Sequence, residues 1–157
     1  MTAAVQLMPE PTRSIDSHLL GSLVVTESRV FGFPDGLPGF PACREWVLVD
    51  AGSPGCAWLQ STSERMVTFF VVDPFLFIPG YSVDLPSEQL TRLPGTATSE
   101  GIAILCIATL PGSAGEGATV NLQGPLVLDV RTRLGAQMII ADSKYGLRHP
   151  IELIGLG

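Results

Sequence analysis

The sequence predicts a mainly β protein, a small antiparallel β-barrel-like single domain with one short helix. Short runs rich in Val, Ile, Leu and Phe recur between clusters of Gly, Pro, Ser and Asp, which is typical of short strands joined by turns. The 17 glycines and 13 prolines also argue against long helices.

Seven segments are predicted as strands from these apolar runs. They cover residues 23–31, 45–50, 57–61, 67–72, 102–109, 126–130 and 137–141. Several are apolar at successive positions, which is typical of strands covered on both faces. Because the chain has too few helices to cover a flat sheet, the sequence favours a sheet curled into a barrel, or two packed sheets.

The remaining segments are predicted as one helix, connections and a terminal extension. Residues 86–93 offer Pro86 with Ser87 or Asp84 as a cap, followed by a short apolar spacing, which predicts a helix of two turns. Residues 111–118 and 132–135 are predicted connections between antiparallel neighbours. Residues 1–20 have no clear period, so we expect a flexible or loosely docked N-terminal extension before a β domain over 21–157.

Charge and length limit the functions that this chain can have. A chain of 157 residues fits one domain that buries about 70% of its unfolded surface. The 15 Asp and Glu against 9 Lys and Arg give a net charge of -6. This argues against direct nucleic-acid binding, which needs clustered Lys and Arg. An acidic surface is suited instead to a basic protein partner.

The sequence also predicts a cytoplasmic protein without membrane contact. Pro9, Glu10 and Pro11 fall where a signal sequence needs continuous hydrophobicity. The best apolar stretch, 102–110, is far shorter than the roughly 20 residues that a helix needs to cross a bilayer. The three cysteines, without a Cys-x-x-Cys pair, are expected to be reduced and packed.

The residues do not indicate reaction chemistry. The glycine-rich stretch 112–117 lacks the strand and helix that flank a phosphate loop. The two histidines, His18 and His149, and the dispersed cysteines provide no local pair of metal ligands. We expect no catalysis, metal or cofactor. The alternative is a small β-barrel hydrolase or ligand-binding enzyme that pairs Cys43 or Cys56 with His149, which requires a thiol within about 4 Å of an imidazole.

One short segment holds three aromatic and two aliphatic side chains: Phe75, Leu76, Phe77, Ile78 and Tyr81. An extended strand with one wet face hides only alternate positions, so we expect some of the aromatic set, or else the aliphatic set, to be displayed. A displayed aromatic cluster beside an unpaired strand edge is typical of a protein-binding surface. If all of these rings are buried, a purely architectural domain is favoured.

Two further blocks are predicted to be structural. Gly36-Leu37-Pro38-Gly39-Phe40 predicts a rigid turn, in which the proline fixes φ, the glycines take positive φ, and Leu37 and Phe40 point inward. In the block 121–125, Asn121 is expected to bond to the nearby backbone at the entry to a strand.

These blocks, in this order and at these separations, resemble the FliW family of flagellar assembly factors over residues 24–150. The resemblance rests on Gly36 to Phe40, Leu59-Gln60-Ser61, Pro74-Phe75 with Tyr81, Asn121-Leu122 with Pro125, and Gln137 leading to Asp142, Tyr145, Arg148, His149 and Pro150. It implies a non-enzymatic protein that binds flagellin in the cytoplasm. It further implies that, when flagellin is scarce or exported, the protein binds the translational repressor CsrA, which relieves repression of flagellin mRNA.

The residues expected to contact these partners are Asp73, Phe75, Phe77, Tyr81 and Asp84. Arg148 and His149 are expected to support the fold instead, as are Gly36, Leu37, Pro38, Gly39, Phe40, Asn121 and Pro125. The protein is expected to be a monomer that exchanges flagellin for a CsrA-type RNA-binding regulator.

Overall fold

The computed structural model describes residues 9–93, 101–141 and 143–153. Its strands are β1 (Thr12–Ser17), β2 (Gly21–Thr26), β3 (Val30–Gly32), β4 (Glu45–Asp50), β5 (Cys56–Ser61), β6 (Thr68–Val72), β7 (Ile102–Thr109), β8 (Thr119–Val120), β9 (Leu126–Asp129), β10 (Leu134–Gln137) and β11 (His149–Pro150). The helices are α1 (Pro74–Phe77), α2 (Ser87–Leu90) and the 3-10 helix Glu27–Arg29. The mainly β class is confirmed.

Seven of these strands close into a barrel. They follow one another in the order β7-β6-β5-β4-β3-β10-β9, and β9 pairs back onto β7. The neighbours are antiparallel, apart from the parallel pair β3 and β10. Strands β8 and β11 extend the sheet from β7, and β1 and β2 form a separate hairpin. The predicted barrel-like architecture is therefore correct.

Aromatic side chains fill one end of the barrel. Trp46 is fully buried, with its ring centroid 6.5 Å from that of Phe33 and 5.7 Å from that of Phe69. Phe40 extends the cluster, 5.8 Å from Phe69. Gly135 makes room for these rings, because a Cβ at that position would lie 2.6 Å from Phe33 Cζ. Packing, and not turn formation, therefore requires this glycine.

The outer face of the barrel is covered as well. Ile15 and Val25 of the β1–β2 hairpin pack against Val47 of β4. Other strands are covered by the segments that follow the helices. Tyr81, after α1, and Leu93, after α2, are both buried. This double coverage explains why so many strands are apolar at successive positions.

Polar contacts tie the hairpin to the barrel. Ser17 Oγ donates to Gln60 Oε1 at 2.7 Å, and both residues are buried. Arg13 donates to both the Glu27 and the Glu45 carboxylates, with a shortest distance of 2.9 Å to Glu27. These hydrogen bonds lower the pKa of Glu27.

The N-terminal segment was expected to be flexible or loosely docked up to residue 20. Residues 12–17 instead form β1, which pairs with β2 along six residue pairs and buries Ile15. The predicted boundary near residue 20 falls in the turn that joins the two strands. Residues 1–8 lie outside the described part.

Strand bounds are correct for 45–50 and 102–109, but two predicted strands need correction. The predicted strand over 23–31 is interrupted, because the chain leaves the sheet after Thr26 for the 3-10 helix. The predicted strand over 137–141 lies instead at Leu134–Gln137, so only residue 137 is shared between the two.

The early start of β10 has a local cause in the preceding turn. Asp129 Oδ1 accepts hydrogen bonds from the backbone N–H groups of Arg131 and Thr132 at 2.9 and 3.2 Å. Arg133 then takes a positive φ of 57°, and its N–H reaches the Asp129 carbonyl at 2.7 Å. The turn between β9 and β10 is thus complete before residue 134, although the connection was predicted to extend to residue 135.

The predicted turn at residues 36–40 is confirmed. Pro38 and Gly39, with φ of 86° at the glycine, form the centre of a turn in which the Phe40 N–H donates to the Leu37 carbonyl at 2.7 Å, as in type II turns. Leu37 is buried and Phe40 is half-buried. Gly36 has φ of 63°, and a Cβ there would lie 2.5 Å from the Phe40 carbonyl oxygen.

The block at residues 121–125 also behaves as predicted. Asn121 Oδ1 accepts hydrogen bonds from the N–H groups of Gln123 and Gly124, both at 3.0 Å. Pro125 is buried, and its carbonyl accepts the Met138 N–H at 2.9 Å. Asn121 thus fixes the entry to β9.

The helices are shorter and more numerous than predicted. The predicted helix over 86–93 is α2, four residues long, and neither Asp84 nor Ser87 caps it with a side-chain hydrogen bond. The helix α1 falls where an extended segment was predicted. Within the described ranges, no helix has the length and apolar character needed to span a bilayer.

Candidate partner-binding face

The helix α1 arises from a start signal in the sequence. Asp73 Oδ1 accepts the Phe75 N–H at 2.9 Å, and Pro74 occupies the first helical position, where a missing N–H has no consequence. The Ile78 N–H closes the turn on the Pro74 carbonyl at 2.9 Å. The segment is therefore a single helical turn, and the predicted strand alternation does not apply to it.

This helical turn displays a different pair of side chains from either predicted set. Phe75 and Leu76 are 55% and 58% exposed. Phe77 is half-buried, while Ile78 and Tyr81 are buried. The expected contact residue Phe75 is thus on the surface, Phe77 is partly accessible, and Tyr81 belongs to the core.

Tyr81 supports Phe75 from below. Its ring centroid lies 5.0 Å from that of Phe75 and 5.1 Å from that of Tyr145. Burial raises the pKa of Tyr81, and the neighbouring Cys106 thiol raises it further. The buried hydroxyl has no well-formed hydrogen bond with the described residues. The edge-to-face contact with the buried Tyr81 ring therefore helps to hold Phe75 in position.

The turn between β4 and β5 completes this surface. The Asp73 N–H donates to the Gly55 carbonyl at 2.8 Å. A Cβ at Gly55 would lie 2.5 Å from Leu76 Cδ2, so Leu76 packs directly on the glycine backbone. We call α1 together with the β4–β5 turn, residues 51–55, the α1 face.

Two open cavities flank the α1 face. The first, the α1 groove, has a volume of about 680 Å³ and is lined by Leu76, Phe77, His149, Ile151 and Leu153 among others. The second, the barrel-mouth cavity, has a volume of about 840 Å³ and opens into the end of the barrel opposite the aromatic cluster. Both cavities have walls of largely apolar residues with charged groups at the edge.

Acidic side chains surround this surface. Asp73 caps α1, Asp50 ends β4 at the barrel mouth, and Glu152 lines the α1 groove. The ion pairs that the described residues form all involve other acids. Arg29 is the only Lys or Arg among the described residues that line the two cavities, so the three carboxylates give this surface a net negative charge.

Of the other predicted site residues, Asp84 and Arg148 do not line the cavities that flank the α1 face, whereas His149 lines the α1 groove. Asp84 is exposed and lines a third cavity of about 630 Å³, next to Lys144 and Tyr145. Arg148 is exposed and forms no ion pair with the described residues. His149 is half-buried in β11, with its ring 6.2 Å from that of Tyr145. Asp142 lies outside the described residues.

Sequence reasoning missed that Leu76 and Gly55 form one surface. The signal for α1 is present in the sequence, since Asp followed by Pro is typical of a helix start, but the apolar run that follows favours an extended strand. The contact with Gly55 depends on the pairing of β5 with β6, which local sequence does not specify.

The thiols lack the arrangement that nucleophilic catalysis needs. Cys56 and His149 line the same groove, but no hydrogen bond joins the thiol to the imidazole. Burial raises the pKa of Cys56, and it raises the pKa of Cys106 to about 12. Cys43 is packed in the core. A nucleophilic cysteine needs a lowered pKa and an adjacent base.

Among the described residues, no group of three or more His, Cys, Asp or Glu is placed to hold a metal ion.

The fold and this surface define a small β-barrel with the features of a protein-interaction module: exposed apolar anchors, acids at their edge, and no activated nucleophile among the described residues. Residues 14–151 match the family described as FliW protein. The chain therefore belongs to the FliW family, whose role as flagellar assembly factors is non-enzymatic.

Individual relatives agree with this assignment. The flagellar assembly factor FliW of Symbiobacterium thermophilum is 40% identical over 124 residues, which cover 78% of this chain and 88% of the relative. That of Moorella thermoacetica is 35% identical over 132 residues, 83% of each chain. A crystal structure of the flagellar assembly factor FliW matches with a TM-score of 0.78 at 29% identity, covering 88% of this chain and 96% of that chain.

Proposed function

We propose that this protein is a cytoplasmic, monomeric binding protein for flagellin, and that it binds and antagonises a CsrA-type translational repressor by partner exchange. Through this exchange it couples flagellin synthesis to export. The α1 face is the docking surface for both partners.

The observation that carries this proposal is the exposure of Phe75 and Leu76 on a rigid turn. Large apolar side chains displayed next to each other are typical of interaction sites. The Asp73 cap and the Tyr81 ring hold α1 in place before any partner arrives. Such preorganisation favours affinity, because less freedom is lost on binding.

The acids around α1 support the second part of the proposal. An RNA-binding regulator carries clustered Lys and Arg. The net charge of -6, with Asp50, Asp73 and Glu152 around the α1 face, accelerates encounter with such a protein. A shared face makes the two complexes mutually exclusive.

Leu76→Ser tests the α1 face. We expect the wild-type protein to co-elute with monomeric flagellin in gel filtration. We expect the substitution to weaken binding by roughly tenfold or more, as for a central apolar anchor. The matched control is Leu19→Ser in the β1–β2 turn, because Leu19 and Leu76 are both 58% exposed. Equal affinities of the two variants would remove α1 from the contact surface. No co-elution at micromolar concentration would contradict flagellin binding itself.

A displacement experiment tests partner exchange. A preformed complex with the CsrA-type repressor, labelled for fluorescence anisotropy, is titrated with flagellin. We expect the repressor to be released, and Leu76→Ser to weaken both complexes. A stable ternary complex would contradict the shared face, and failure of the repressor to bind would contradict the antagonist role.

A further inference from the structure

The two ends of the barrel interior are filled differently. At the aromatic end, inward-facing Trp46 and Leu59 are fully buried. Toward the other end, the inward positions of the same strands are Leu48 and Ala57, and both are only partly buried. Native interiors are normally packed without large voids, so the open end needs an explanation.

Small side chains keep the barrel-mouth cavity open. Ala57 of β5 and Ala103 of β7 line its walls. Phe31, Leu105 and Leu128 are also among its lining residues, and Leu105 remains partly accessible. The cavity thus presents apolar surface that a side chain from outside can bury. Each methylene buried there contributes about 0.8 kcal/mol.

The rim of the cavity carries an excess of negative charge. Asp50 Oδ1 accepts the Gly52 N–H at 3.0 Å, and Asp73 Oδ1 accepts the Phe75 N–H at 2.9 Å. Neither carboxylate forms an ion pair with a described residue. Arg29, also at the rim, donates its Nε–H to the Leu48 carbonyl at 3.1 Å. The two acids therefore remain available to a cation from outside.

The cavity is continuous with the α1 face. Ser53, Pro54 and Cys56 line both this cavity and the α1 groove. Asp73 joins them, because it caps α1 and also lines the barrel mouth. A protein docked on α1 therefore reaches the cavity without further movement of the barrel.

We propose that the barrel-mouth cavity receives one apolar side chain of the bound protein partner, and that Asp50 and Asp73 hold a Lys or Arg next to that side chain. The recognised element is thus an apolar residue with a basic neighbour, inserted into the end of the barrel. This inference rests on the proposed function and adds a specificity pocket to the α1 face.

Filling the cavity tests the inference directly. Ala57→Leu and Ala103→Leu each place a bulky side chain in the space reserved for the partner. We expect each to weaken flagellin binding at least about tenfold in isothermal titration calorimetry. The control Ala42→Leu adds the same bulk at an exposed position before β4 and should leave affinity unchanged. Asp50→Asn should weaken binding about threefold at low salt, and this effect should fade as salt screens the rim.

A second measurement uses the wild-type protein and does not depend on the folding of variants. The methyl NMR signals of Ala57 and Ala103 should shift on addition of flagellin, while that of Ala42 should not. Unshifted signals, or fill variants that bind as tightly as wild type, would overturn the inference and leave the α1 face intact. A free apolar dye that occupies the cavity should compete with flagellin. If the dye binds there and the affinity for flagellin does not change, the inference is also overturned. If the wild type binds no flagellin at all, the proposed function fails first.

Discussion

Gln60 allows the polar link between the hairpin and the barrel to be tested quantitatively. Its side chain is fully buried, and Oε1 accepts hydrogen bonds from the Ser17 and Thr68 hydroxyls. Its Nε2 donates to the Ser61 carbonyl at 3.0 Å. Two longer contacts, both at 3.4 Å, join Nε2 to the Glu64 and Arg65 carbonyls. Gln60→Leu keeps most of the volume but removes all of these bonds, so the Ser17 hydroxyl loses its acceptor inside the protein.

The expected magnitude follows from these contacts. The three shorter hydrogen bonds, at about 0.5–1.5 kcal/mol each, account for most of the loss, and better burial of the apolar Leu side chain offsets part of it. We expect Gln60→Leu to lower the free energy of unfolding by about 2–3 kcal/mol. For a domain of this size, that corresponds to a fall in Tm of roughly 4–12 °C.

Urea denaturation with an unchanged m value measures this loss. Ser17→Ala should lower stability by about 1 kcal/mol, and the double variant should reveal a coupling energy of similar size between the two positions. Gln123→Leu is the control, because the half-buried Gln123 side chain forms no hydrogen bond with the described residues. A loss below about 0.5 kcal/mol for Gln60→Leu, or strict additivity with Ser17→Ala, would refute the reasoning.

Three further predictions concern charge, turn geometry and the thiols. Because Arg13 lowers the pKa of Glu27, this ion pair stabilises the fold above pH 4.5, and its contribution is lost as the pH falls below that value and Glu27 is protonated. The free energy of unfolding of Arg13→Leu should therefore decrease less between pH 6 and pH 3 than that of the wild type. Gly36→Ala should lower stability by more than about 2 kcal/mol in urea, whereas Gly39→Ala, at positive φ but in open space, should lower it by only about 1 kcal/mol; equal losses would contradict the steric argument. Cys106, fully buried with its pKa raised to about 12, should resist alkylation at pH 8 in the native protein and react after denaturation; fast native labelling, located by mass spectrometry, would contradict its burial.

Much of the barrel could be predicted because its signals are local. The strand 45–50 is set off by polar and glycine-containing neighbours, and 102–109 is a continuous apolar run. Gly39 and Asn121 also behave as their residue types predict, since a turn or a cap needs only a few neighbouring atoms.

Other features depended on contacts between distant segments. Gly135 was predicted to be a turn residue, yet it lies in a strand because the Phe33 ring occupies the space of its missing side chain. Tyr81 was expected on the surface, yet it is buried because α1 turns the chain back toward β7. Strand β1 lacks a clear period, and its position depends on pairing with β2 and on the contact between Ser17 and Gln60.

The same distinction applies to the candidate site. Its location near residues 73–77 could be predicted from the concentration of apolar residues there. Which side chains are displayed could not, since exposure of Leu76 depends on the helical turn that Asp73 caps and on the position of Gly55 beneath it. The barrel-mouth cavity is visible only after the ring of strands has closed.

Hydrogen–deuterium exchange of the protein with and without flagellin tests the central claim, that the α1 face is where partners dock. We predict slower exchange on binding in peptides that cover 51–57 and 73–78, with no change in peptides of the β1–β2 hairpin. Slower exchange confined to the hairpin, or to the aromatic end of the barrel around 36–43, would contradict the account.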